Sequence, residues 1–129
     1  MRRLDPFLRF LEIAGLLNGE QVNSSGIARE AMVSRSIVDN YFSVLEDTLV
    51  GMLLPAYRPR AKVREMNHPK FYWFDSGVAR AAAGLLEQKP EREWLGRSLE
   101  TLVLHELRCF LAYRQLHHRL FLLSNQERR

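Results

Sequence analysis

The sequence predicts a mainly α-helical fold with one small β-hairpin. Two observations carry this. Apolar residues recur at helical spacing in several separate stretches, and two short apolar runs, residues 50–54 and 71–74, have strand character and flank a Pro-containing loop. Start and stop residues punctuate these segments in a consistent order.

The first element opens at Asp5-Pro6, with Asp as cap and Pro at the first helical position. Phe7, Phe10, Leu11, Ala14 and Leu17 then form one buried face, and Asn18-Gly19 supplies the stop. Asn23 or Ser24 caps a second short helix that turns Ile27, Ala28 and Ala31 inward. Met32-Val33-Ser34 is a turn, and Ser34 caps a third helix. Its apolar stripe comprises Ile37, Val38, Tyr41, Phe42, Leu45 and Leu49.

Residues 50–54 and 71–74 are expected to pair as a hairpin, with residues 55–70 as the loop or wing. Pro69 favours an extended approach to the second strand. Asp75-Ser76 caps a small helix that stops at Gly84, and residues 85–94 read as a connecting loop. A long amphipathic helix is expected over residues 95–117. Leu95, Leu99, Leu102, Val103, Leu107, Phe110 and Leu111 would form its buried face. Residues 120–123 read as a terminal strand. The resulting architecture is a winged helix-turn-helix domain over residues 1–75, followed by a helical unit over 76–129.

Bulk properties narrow the function classes. The chain has 129 residues, 47% hydrophobic and 26% charged, an ordinary globular balance. The lone Cys109 excludes an intramolecular disulfide and fits a reduced interior. The N-terminal residues lack the apolar core of a signal peptide, and no run approaches the ~18 apolar residues of a membrane span. We therefore expect a cytoplasmic protein with no membrane partner. The formal charge is +4, and residues 58–70 account for all of it.

The helix-turn-helix pattern gives the leading site. In such motifs the second helix enters the major groove, and its N-terminal residues reach base edges. Here those residues are Arg35, Ser36, Asp39 and Asn40. Arg reads guanine and Asn reads adenine. Met32 stands where a glycine is often found in the turn. Asp39, Glu46 and Asp47 put negative charge on the face that would meet phosphates. The alternative is a tri-helical unit used for packing or protein contact.

Arg58, Arg60, Lys62 and Arg64 alternate strictly, so an extended backbone would point all four to one side. Such a stripe could follow a phosphate backbone, with steep salt dependence. Equally, it could protect a strand edge or solvate a loop. The expected DNA contacts are thus Arg35, Ser36, Asn40, Arg58, Arg60, Lys62 and Arg64.

Chemistry has little to stand on. His105 and Cys109 are four apart on a helix, but a structural zinc site normally needs four ligands. His117 and His118 are adjacent and cannot share one metal. Cys109 has no orienting base, Glu100 and Glu106 are ordinary helix carboxylates, and the phosphate-binding G-x-x-x-x-G-K-[ST] loop is absent. We expect no enzyme activity, no metal and no cofactor.

An ordered set of stretches also carries a family resemblance. These are Phe7-Leu8-Arg9-Phe10-Leu11, Asn23-Ser24-Ser25-Gly26-Ile27-Ala28, Val44-Leu45-Glu46-Asp47-Thr48, Leu54-Pro55-Ala56-Tyr57, Pro69-Lys70-Phe71-Tyr72-Trp73-Phe74-Asp75-Ser76-Gly77-Val78, Gly96-Arg97-Ser98-Leu99-Glu100 and His105-Glu106-Leu107. Over about residues 7–115 the chain resembles prokaryotic AAA-type ATPases that end in a domain of unknown function. The resemblance implies a winged helix and the start of a restriction-endonuclease-like domain, with the ATPase module absent and the nuclease-like part truncated. Glu100 matches the helix glutamate that opens a nuclease-like site in related folds. Its partners in that site are not matched here, so the family's ATPase and nuclease chemistry would not carry over. A chain cut short of its sheet would expose apolar surface on the long helix or terminal strand, so self-association is expected. A protein partner coupled to an ATPase is the rival to duplex DNA.

Overall fold

The computed structural model describes residues 4–57 and 68–123. Its elements in order are α1 (Leu4–Leu16), β1 (Glu20–Gln21), α2 (Ser24–Ala31), α3 (Arg35–Asp47), β2 (Gly51–Leu54), β3 (Lys70–Trp73), α4 (Ser76–Ala82) and α5 (Arg92–Tyr113). The fold is mainly helical with a small antiparallel sheet, as the hydrophobic periodicity requires.

Local signals explain most boundaries. Asn23 accepts a hydrogen bond from the Gly26 N–H and caps α2, and Ser34 accepts from the Ile37 N–H and caps α3. Asp75 caps α4 through the Val78 N–H. Met32 closes α2 in the left-handed conformation at φ +58, so a non-glycine residue does occupy the strained turn position. α1 begins at Leu4, so Asp5 is its second residue and not its cap, and Pro6 is its third and not its first.

The strands β2 and β3 pair antiparallel from Gly51 opposite Trp73 to Leu54 opposite Lys70. A third strand, β1, was not legible as a strand. It contributes two residues and pairs with the other side of β3, Glu20 opposite Phe71, giving the order β1-β3-β2. β3 is therefore central, and Phe71, Tyr72 and Trp73 are all buried.

The core lies between α1, α2, α3, α4 and one face of the sheet. Phe10 meets the Phe42 ring edge-on at 4.9 Å, Phe42 meets Phe71 at 5.0 Å, and Phe71 meets Trp73 at 5.7 Å. This aromatic chain ties α1, α3 and β3 together. Gly15 sits where α1 and α4 nearly touch. A Cβ there would come within 2.6 Å of the Ala83 nitrogen and 2.7 Å of the Ala79 carbonyl oxygen. Only a residue without a side chain allows that approach.

Asn18, expected only to stop α1, is the buried junction of three elements. Its Oδ1 accepts from the Trp73 backbone N–H at 2.8 Å, and its Nδ2 donates to the Thr101 hydroxyl at 3.0 Å. The Trp73 indole N–H donates to the Ala14 carbonyl at 2.9 Å.

Several expectations are corrected. The stripe of α3 buries Val38, Phe42 and Leu45 but leaves Ile37 exposed, and Leu49 lies beyond the helix end, exposed at φ +61. The last helix begins at Arg92, inside the expected loop, and ends at Tyr113, where Gln115 turns left-handed at φ +53. Residues 120–123 form no strand; Leu122 makes one parallel bridge with Ala56.

The largest correction concerns the face of α5. Leu95, Leu99, Leu102, Val103, Leu107 and Phe110 are exposed, and Leu111 is half-buried. The side that docks on the body carries Trp94, Arg97, Ser98 and Thr101 instead. These recur at i, i+3, i+4 and i+7, so they form one helical face roughly opposite the apolar one. The body offers polar partners there, namely Asn18 and Glu20, which select the polar side of the helix.

Candidate functional site

The third helix is anchored from behind and open in front. Val38, Phe42 and Leu45 lock α3 into the core, while Arg35, Ser36, Asp39, Asn40 and Ser43 are exposed. Arg35, Ser36 and Asn40 are thus brought together on the outer side of the first turns of α3. Arg58, Arg60, Lys62 and Arg64 lie outside the described residues.

The surrounding surface is concave. A cleft of about 350 Å³ opens between the start of α2, the outer face of α3 and the sheet. Ser24, Ser25, Arg35, Asp39, Ser43 and His68 contribute its polar lining. Ser24, Ser25 and His68 were not singled out from the sequence as site residues. His68 and Pro69 immediately precede β3, whose placement in the sheet brings His68 beside the helix pair.

The acidic residues of this face are partly engaged within the protein. The Ser24 hydroxyl donates to Asp39 Oδ1 at 2.8 Å, joining α2 to α3. Glu46 turns to the sheet and accepts the Leu53 backbone N–H at 3.2 Å. Asp47 remains exposed at the far end of the helix. The first turns of α3 therefore present Arg35, the Asn40 amide and the Asp39 carboxylate, and the last turn presents a second exposed carboxylate, Asp47.

A second polar cluster joins α5 to β3. Glu100 accepts a short hydrogen bond from the Tyr72 hydroxyl and forms a 3.3 Å ion pair with Lys70. Burial of the tyrosine, reinforced by the hydrogen bond and the negative charge of Glu100, raises the Tyr72 pKa well above its ordinary value. The cluster fastens the helix to the sheet. Farther along α5, Cys109 Sγ lies 3.5 Å from His105 Nε2. Among the described residues, no three or more His, Cys, Asp or Glu side chains gather in a group that could hold a metal ion. No described helix is long and apolar enough to cross a membrane.

Comparison with other proteins adds one relationship. No curated protein and no solved structure matches the chain. Residues 1–89 match the model of a domain of unknown function (DUF8612), which spans α1 through α4 and the whole sheet. The chain belongs to the DUF8612 family.

Proposed function

We propose that this chain is a non-enzymatic winged-helix protein that binds duplex DNA, related to the C-terminal part of AAA-type ATPases. One observation carries the reading. The first turns of α3 are held by Val38 and Phe42 while Arg35, Ser36 and Asn40 are exposed on the outer side, with Arg35 lining a polar cleft. A helix held by its back and open at its N-terminal face suits insertion into a major groove. The order of a helix pair running into a hairpin supports the same reading. Glu46 is half-buried and turned to the Leu53 N–H, which takes one carboxylate away from the outer face.

In this reading Arg35 and Asn40 meet base edges, and the alternating cations from Arg58 to Arg64 follow the phosphate backbone. The test is a titration of mixed-sequence duplex at several salt concentrations. Affinity falls steeply as salt rises, and each of Arg60→Ala and Lys62→Ala lowers the slope by about 1. Arg35→Ala weakens binding as well. A protein that fails to bind duplex even at low salt would defeat the proposal.

A second reading, a protein-interaction module that couples an ATPase to a partner, is favoured by one feature. Asp39 and Asp47 both face solvent on the same helix, where they would oppose phosphate. Absence of DNA binding at low salt is the outcome this reading expects.

A further inference from the structure

The exposed side of α5 is an apolar feature left without a function. Leu95, Leu99, Leu102, Val103 and Phe110 face outward, with Leu99 62% exposed. The face continues over a groove of about 480 Å³ beside the β3–α4 junction, where Phe74, Leu99 and Leu102 supply apolar lining. Contiguous apolar surface of this kind marks a protein contact.

Two features of the face point to what covers it. The first is charge. Arg92 and Glu106 lie on the same stripe, seven residues to either side of Leu99, about two helical turns each way. A helix carrying a cation before its midpoint and an anion equally far after it is complementary to itself when reversed. The second is Gly96. It lies inside α5 next to the stripe, and a Cβ at that position would meet no atom within 4 Å. None of the described residues comes close enough to require a glycine there, although glycine costs a helix interior about 1 kcal/mol relative to alanine.

We propose that α5 packs antiparallel against α5 of a second copy, about a two-fold axis at Leu99. That register sets each Leu99 against its counterpart and Leu95 against the partner's Val103. It also sets Arg92 against the partner's Glu106. The same register brings the partner's Val103, which lies on the same edge of the stripe, beside Gly96, whose missing side chain leaves room for the valine. One symmetry operation therefore accounts for the apolar stripe, the placement of the two charges and the glycine. Because the contact is isologous, it closes at two copies and does not propagate.

The test uses the full chain. Sedimentation velocity over a dilution series should show a monomer–dimer equilibrium. Arg92→Glu should weaken the dimer about tenfold, since two attractive contacts of modest size become repulsive. Glu106→Arg added to Arg92→Glu should restore it. With Cys109→Ser as background, Leu99→Cys should oxidise to a covalent dimer, because only a residue on the axis meets its own counterpart. Leu107→Cys in the same background should not. These positions are exposed, so helical circular dichroism should stay unchanged in every variant. A monomer at all concentrations overturns the proposal. So does a dimer that resists the charge reversal or cross-links equally well from position 107.

Discussion

The body built from α1 to α4 and the helix α5 solve the same problem in opposite ways. In the body, apolar side chains face inward, and aromatic contacts from Phe10 through Phe42 and Phe71 to Trp73 hold the elements together. Helix α5 attaches by Trp94, packed at the edge of the core, and otherwise by polar contacts. Thr101 bonds Asn18, Glu100 takes the Tyr72 hydroxyl, and Arg97 pairs with Glu20 at 2.9 Å while its apolar stripe faces solvent. Amphipathicity alone therefore does not say which side of a helix is buried. The partner surface decides, and here that surface ends in Asn18 and Glu20.

The contrast is sharpest in the response to truncation. Phe71→Ala should destabilise the protein by about 3–5 kcal/mol, because it empties the centre of the aromatic chain. Leu99→Ala, a similarly apolar deletion, should change the stability of the dilute monomer by no more than about 0.5 kcal/mol. Chemical denaturation of both variants measures the difference. Equal losses would show that α5 buries its stripe in solution, and the comparison would fail.

Asn18→Ala probes the seam between the two regions. It leaves the buried Trp73 N–H unpaired and removes the Thr101 bond, so the expected loss is about 1–3 kcal/mol. Hydrogen exchange should then report faster opening of α5 than of α3. Uniform acceleration across both helices would mean that Asn18 supports the body alone.

A smaller effect appears in alkali. The folded protein holds the Tyr72 proton more tightly than the unfolded chain, so unfolding favours proton release. This contribution is fully present below the ordinary tyrosine value of about 10 and is lost as pH rises from there toward the raised folded value. Tyr72→Phe should flatten that part of the stability–pH profile relative to the parent. Parallel profiles would show that the hydroxyl is equally free in both states.

Much of the body was legible because its signals are local. Asn23, Ser34 and Asp75 cap helices through backbone groups three residues on, and residues 50–54 and 71–74 supply the strands that pair. The outward face of Arg35, Ser36 and Asn40 followed from the same periodicity that buries Val38 and Phe42. β1 escaped notice because two residues carry no alternation to detect. His68 entered the cleft lining through strand placement, which no local pattern encodes.

The chain's own pattern determined which segments are helical, where α2, α3 and α4 begin, and that α5 has one apolar and one polar side. Those properties depend on residues within a turn or two of one another. Tertiary structure alone decided which side of α5 meets the body, where Asn18 spends its hydrogen bonds, and why Gly15 must lack a side chain. Each of these depends on groups far apart in sequence. A buried polar junction such as Asn18 is satisfied only once those distant partners arrive.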